Sequence, residues 1–403
     1  MASEHEASTG FFINGDEIPA MNRSKALLGA QYDQLQPNLF TRRRPKYYDE
    51  PQSNIMNVKA LGAKGDGVTD DTIVLNSILA GAANTLTIVY FPYGVYIVTD
   101  TLRAPIGSRI IGQVWSQIMG KGSKFQDELK PQPVVQVARR GDVGIIEIQD
   151  MMFTNAKEAT QGSVGLWDSH IRVVGAAGSN LQYADFPKLS GSVNSKCKAA
   201  SILFHLTPGS TAYLENSWNW VGDHDLDRKT RDQIDVYAAR GMLIESDLAY
   251  LWGTASEHCV FYQYQLSNAS NIPMAMIQTE SPYYQPTPKA PKPFEASVGL
   301  FTDDPTFEEC TEDRCYTSWG VRILDSTAVY ILGSGLYSWF YNYDQGCLDT
   351  EDCQNRVFEM QESYDLWVYN LCTKGIVEMV TPQNSTPTYA RDNVNGFLSS
   401  ILA

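Results

Sequence analysis

The chain has 403 residues, with 31 Lys and Arg against 46 Asp and Glu and a formal net charge of −15. That balance argues against nucleic-acid binding, where phosphates need clustered cations, and against docking on anionic lipid. With 43% hydrophobic and 11% aromatic residues the chain can bury a large core, which excludes wholesale disorder; 30 Gly and 22 Tyr lean towards β structure.

In chain order, residues 1–50 are mixed and polar and read as a linker-like segment ahead of one domain over 51–403. The opening Met-Ala-Ser-Glu-His-Glu has neither a basic n-region nor an apolar h-region, so no signal peptide is read on the chain as it stands. The basic knot Arg42-Arg43-Arg44-Pro45-Lys46 reads as a solvated connector. No stretch approaches the roughly 18 apolar residues of a membrane span, and no membrane partner is expected. Residues 57–63 alternate like a strand and run into the turn Lys64-Gly65-Asp66-Gly67. Thr69-Asp70-Asp71-Thr72 supplies N-cap chemistry and predicts a helix over 73–80. Residues 86–91 and 95–98 read as strands about the turn Pro92-Tyr93-Gly94. Short strands then follow one another, broken by Gly, Asn, Asp and Ser, as at 108–112, 143–148, 170–174 and 321–325. Such a procession fits a sandwich, a propeller or a β-helix.

Self-similarity decides among these. The stretch 250–258 (Tyr-Leu-Trp-Gly-Thr-Ala-Ser-Glu-His) is similar to 330–338 (Tyr-Ile-Leu-Gly-Ser-Gly-Leu-Tyr-Ser), and 273–281 (Pro-Met-Ala-Met-Ile-Gln-Thr-Glu-Ser) fits the same frame. Glu257 and Glu280 fall on one place in that frame, about 23 residues apart; a propeller blade needs a period of roughly 40. The step is that of one coil of a parallel β-helix. The Pro-rich and acidic stretch 282–318 then reads as a long loop thrown out from one coil.

Seven cysteines are present. Cys310 with Cys315, and Cys347 with Cys353, read as two local disulfides in acidic loops. A zinc site is the rival, but zinc spacings are shorter and no His lies near. Cys259 and Cys372 lie in apolar runs and read as core, leaving Cys197. Three sequons, at Asn22, Asn268 and Asn384, fit an exported protein.

Stacked coils set equivalent residues about 4.8 Å apart. Two carboxyls that close cannot both ionise easily, so one keeps its proton near neutral pH. Glu257 and Glu280 therefore suit general acid chemistry; two solvated coil-corner side chains are the alternative. Asp223, Asp225 and Asp227 offer a base or a water-positioning group. They also fit a plain acidic loop or a calcium ligand set, although the full EF-hand pattern is missing. Trp218, Trp220, Tyr283 and Tyr284 lie near the carboxylates in sequence and could stack on sugar faces, core packing being the alternative. His258 beside Glu257 reads as an orienting hydrogen-bond partner. Metalloprotease, Walker and dinucleotide motifs are missing and the five His are scattered, so neither metal nor cofactor is expected.

Residues 62–72 (Gly-Ala-Lys-Gly-Asp-Gly-Val-Thr-Asp-Asp-Thr) resemble the opening strand and capping helix of the pectate-lyase-like β-helix superfamily. More specific are 166–172 (Leu-Trp-Asp-Ser-His-Ile-Arg), 215–221 (Glu-Asn-Ser-Trp-Asn-Trp-Val), 253–258, 262–264 (Tyr-Gln-Tyr) and 278–285 (Gln-Thr-Glu-Ser-Pro-Tyr-Tyr-Gln). Together they resemble fungal glycoside hydrolase family 55, the exo-β-1,3-glucanases, from about Gly10 to the C-terminus. The resemblance implies an all-β, right-handed parallel β-helix of the pectin-lyase-like kind with a short N-terminal capping helix. It implies inverting cleavage of β-1,3-glucan from chain ends, with Glu280 as general acid and Glu257 in the same site. Tyr283, Tyr284, Trp218, Trp220, His258 and Gln278 become substrate contacts. A monomeric, extracellular parent enzyme is implied as well. The family carries two β-helix domains with the cleft between them, and this chain resembles the linker and the second, so weak activity is expected of it alone. The family's extra strand after Phe153-Thr154-Asn155 is missing, and 156–162 are expected to cross directly. The rival readings are a β-helix that binds polysaccharide without cleaving it and a structural β-helix of the tailspike or adhesin type.

Overall fold

The structure, a computed structural model, describes residues 11–13, 16–18, 40–154, 156–158, 164–173, 181–189, 193–226 and 228–403. Asn22 and Asp227 lie outside the described residues. The chain divides into two compact units, Met1–Thr41 and Arg42–Ala403. In the first, Phe11–Ile13 pairs antiparallel with Asp16–Ile18.

The second unit is the parallel β-helix that the repeat predicts. Its strands stack in register on three strips. The first strip runs through Val164–Trp167, Thr211–Glu215, Leu248–Trp252 and the front of Ser270–Glu280, Thr327–Tyr337 and Tyr364–Lys374. The second runs through His170–Val173, Trp218–Val221, Ala255–Glu257 and the rear of the same long strands. The third holds Lys198–Leu206, Tyr237–Ile244, Tyr262–Ser267, Trp319–Leu324 and Phe358–Gln361. Alternation sends every second side chain inward. Leu166, Leu214, Leu251, Met274, Ile331 and Val368 stack as one buried column in successive coils.

The small polar residues that punctuate the sequence mark the corner between the first two strips. Asp150, Asp168, Asn216 and Gly253 hold positive φ there in successive coils, as do Met276, Gly333 and Asn370. Gly, Asn and Asp reach this left-handed backbone most readily, and it bends a strand without ending the stack.

The α-helix Thr72–Thr85 buries Leu75, Ile78, Leu79, Ala82 and Ala83 over the first coils. Its start is held by Asp70 Oδ1, which accepts from Thr72 N at 3.0 Å, while the Asp71 carboxylate accepts from Lys64 N and Gly65 N. It runs five residues beyond the expected end because Ala82 and Ala83 continue the buried face. At the other end Phe397–Leu402 pairs antiparallel with Tyr364–Lys374 and closes the last coil.

Two expectations are corrected. Residues 156–158 do not simply cross: Ala156–Glu158 is a strand of the third strip, pairing Val135–Val137 and Lys198–Leu206. Nor is the basic knot merely solvated. Arg42 bonds Glu147 at 2.7 Å and lies over the Trp167 ring, and Arg44 bonds Gln149, Asp150 and Asp168. Carboxylates on successive coils need cations, and this segment supplies them.

Between Glu280 and Trp319 the described chain carries no strand. This loop is fastened to the third strip by Arg240, which reaches Asp304 and Ser297 O, and by Gln265 and Arg322, which reach Thr302 O and Asp303 O. Cys310–Cys315 and Cys347–Cys353 are disulfide-bonded; Cys197 and Cys259 are buried thiols, and Cys372 is half-buried.

Candidate active site

The second strip presents two outward columns. One runs Trp218, Ala255, Gln278, Gly335; the other runs Trp220, Glu257, Glu280, Tyr337. Their inward neighbours Asn219, Ser256, Thr279 and Leu336 are buried. The two glutamates are thus direct neighbours on adjacent coils.

Gln278 ties them together. Its amide nitrogen donates to Glu257 Oε1 at 3.0 Å and to Glu280 Oε1 at 3.3 Å. The other Glu257 oxygen accepts from Trp218 Nε1 at 2.9 Å, and the other Glu280 oxygen accepts from the Tyr283 hydroxyl at 2.8 Å. His258 follows Glu257 with φ +66°, its N–H bonded to Glu280 O at 2.9 Å. That left-handed turn swings the imidazole back beside the pair. Nδ1 lies 3.0 Å from Val221 O and 3.9 Å from Asp223 Oδ1, and Nε2 lies 3.5 Å from Glu280 Oε2.

The environment pushes the two carboxyls apart. Burial, reinforced by the charges of Glu280 and Asp223, lifts Glu257 to about 7 against His258 and Trp218. Burial also opposes charge on Glu280, but His258, Tyr283 and Trp339 outweigh it and hold that carboxyl below its ordinary value. Burial likewise disfavours charge on His258, yet Asp223, Glu280 and Glu257 raise it to about 9. Below about pH 7 this balance favours an ionised Glu280 and a proton on Glu257.

A pH signature follows. Glu257 binds its proton more tightly folded than unfolded. Its contribution to stability is complete below the ordinary carboxyl value and is lost as pH rises towards about 7. His258 behaves alike, losing its contribution from the ordinary imidazole value up to about 9. Each is worth on the order of 3 kcal/mol. Denaturant titrations across this span should show stability falling with pH, and Glu257→Gln should flatten the lower part of the fall. A variant with the wild-type slope would show that Glu257 does not hold a proton.

Other expected site residues land differently. Trp218 and Trp220 are ring-stacked on each other at 4.5 Å, and the Arg172 guanidinium lies over Trp220. Each indole thus has one face covered by the other. Tyr284 is a core residue rather than a sugar contact: it is 4% exposed and packs edge-on against Tyr237. Asp225, at 1% exposure, accepts from Tyr183 N and so helps to hold its own loop. Asp223 sits on the Nδ1 side of His258, with His224 Nδ1 at 3.0 Å. The sequons Asn268 and Asn384 are exposed.

Sequence reading missed Tyr337, Trp339 and Phe340. Phe340 packs on Tyr283 at 4.2 Å between ring centres, and Trp339 helps to hold the Glu280 carboxyl below its ordinary value. Tyr337 was legible in principle, since it occupies the place of Glu257 and Glu280 in the repeat frame; the other two lie just beyond that frame.

The stacked parallel coils make a parallel β-helix that carries a carboxyl pair on one strip, and residues 55–184 match the family model described as rhamnogalacturonase A/epimerase, pectate lyase-like. The chain is homologous to fungal proteins named for glucan cleavage. It is 42% identical over 380 residues to a probable glucan endo-1,3-beta-glucosidase of Arthroderma benhamiae, covering 90% of this chain and 43% of that protein. It is 36% identical over 381 residues to the glucan 1,3-beta-glucosidase of Cochliobolus carbonum, covering 90% and 48%. It is also 53% identical over 408 residues to the non-secreted LysM effector LysM15 of Penicillium expansum, covering 97% and 28%. The chain spans half or less of the length of each of these relatives.

Proposed function

We propose that this chain is the carboxyl-bearing β-helix of a glycoside hydrolase that cleaves β-1,3-glucan from chain ends. The observation that carries the reading is the Glu257–Glu280 pair, in register on adjacent coils, joined by Gln278 and pushed apart in proton affinity. The names of the two glucosidase homologues support the substrate class. Glu280 delivers a proton to the leaving glycosidic oxygen as the C–O bond breaks, and water adds to the anomeric carbon and loses a proton to a base. Sugar filling the site strips water from Glu280, whose burial already works against its charge, and shifts the pair's shared proton towards it. If both carboxyls meet the sugar from one side, neither can attack from the opposite face; water does so instead, and the product is inverted.

Tyr283, Tyr337 and Trp339 offer aromatic surface beside the acids. Tyr337 has room only because residue 335 is glycine: a Cβ there would stand 2.2 Å from the Tyr337 hydroxyl oxygen. Gly335→Ala is expected to displace that ring and weaken oligosaccharide binding several-fold, with stability changed by less than roughly 1.5 kcal/mol. Calorimetric titration with a β-1,3-glucan oligosaccharide checks it, and undiminished affinity would remove Tyr337 from the binding surface.

The deciding experiment is reducing-sugar release from laminarin, with the anomeric form of the product followed by NMR. Release of the α-anomer supports the inverting reading. Binding without release supports the second reading, a non-cleaving polysaccharide binder, which the ionised resting state of Glu280 favours. We also propose export and a monomeric state. Two disulfides and exposed sequons at Asn268 and Asn384 support export. A mobility shift on enzymatic deglycosylation of the natural protein tests it.

A further inference from the structure

We propose that His258 is a doubly protonated positioning residue, an imidazolium strung between Asp223 and Glu280 that keeps one proton and one negative charge in the carboxyl pair. The proposal rests on the glycosidase reading for its kinetic consequence but not for the charge state itself.

Every polar group described around the ring is an acceptor or can act as one. Nδ1 faces the Val221 carbonyl at 3.0 Å, and a carbonyl can only accept, so this nitrogen carries a hydrogen. Asp223 Oδ1 stands 3.9 Å from the same nitrogen. Nε2 faces Glu280 Oε2 at 3.5 Å, and that oxygen already accepts from the Tyr283 hydroxyl. Nε2 forms no hydrogen bond there, so the contact is one of charge: a proton on Nε2 is drawn to the carboxylate, whereas a lone pair would face the same negative charge. Both nitrogens are therefore best served by protons. The ring is 4% exposed and packs edge-on against Tyr283 at 4.7 Å, so water contributes little to this choice.

The groups facing His258 from each element are Asp223, backed by His224, from the turn after Trp218–Val221; Glu257 on its own strand; Glu280 on the next coil; and Tyr283 from the long loop. Three carboxyls thus share one cation. With the imidazolium present, Glu280 stays ionised and the remaining proton rests on Glu257. A neutral side chain at 258 leaves the carboxyls to repel one another, and Glu280 then takes up a proton at higher pH. His258 thereby sets which carboxyl is charged without touching the sugar.

The charge state is read directly by ¹⁵N–¹H NMR of histidine-labelled protein, with the His258 signals assigned by their loss in His258→Gln. Both ring nitrogens are expected to be protonated at pH 7.5; a neutral His258 ring at that pH overturns the proposal whatever the protein does to glucan. The kinetic arm uses His258→Gln, which keeps a neutral donor, and His258→Asn, which tolerates the left-handed backbone. On laminarin, kcat is expected to fall roughly 10- to 100-fold with KM within about threefold, and the alkaline limb of the kcat profile, which reports loss of the acid's proton, to move to higher pH. An unmoved alkaline limb in folded variants would reduce His258 to a packing residue. Wild-type protein with an imidazolium at 258 but no glucan hydrolysis would instead remove the glycosidase reading and leave the charge assignment standing.

Discussion

Replacing Glu280 by Gln is expected to lower kcat on β-1,3-glucan by a factor on the order of 10² to 10⁴, the range a positioned general acid supplies. Glutamine keeps the shape and can still bond Tyr283 and Gln278, so KM should stay within a few-fold. Glu257→Gln should cost a comparable factor for a different reason. It removes the group that holds the pair's proton at rest, so the loss of activity with rising pH through about 7 should disappear along with most of the rate. Steady-state kinetics across pH checks both variants. A Glu280→Gln enzyme retaining most of its kcat would take the acid role away from this residue. An unchanged alkaline limb in Glu257→Gln would show that the resting proton lies elsewhere.

Asp304→Ala should be the most damaging substitution away from the site. Asp304 and Arg240 form an ion pair that is fully buried on both sides, with the guanidinium flanked by Phe261 and Phe301 and bonded to Asp304 Oδ1 at 2.6 Å. Removing the carboxylate leaves a buried cation without its counter-charge, which costs about 3 to 5 kcal/mol. The paired replacement Arg240→Met with Asp304→Leu should recover most of that loss, because neither charge then needs a partner. Denaturant unfolding compares the two. A single variant as stable as wild type, or a double variant no better than the single, would show that the pair does not fasten the loop in this way.

The sequence by itself determined the coil. The frame shared by 250–258, 273–281 and 330–338 pairs Leu251 with Met274 and Met274 with Ile331, and places Glu257 opposite Glu280, all in the register the strings predict. Such features are legible because stacking repeats the same inward and outward alternation in every coil, and a coil corner demands the same small or polar residue types each time. The two disulfides were legible for a related reason, since each closes a loop of only a few residues. Tertiary structure alone decided what lies between coils and loops. It turned Trp218 and Trp220 onto each other, sank Tyr284 into the core, brought Trp339 and Phe340 back from the following coil and gave the basic knot its carboxylates. It also placed the proton. Equivalent positions bring two glutamates together, but which one ionises depends on burial summed with the charges of His258, Asp223 and Tyr283. Those groups come from different coils, and their distances exist only once the chain has stacked.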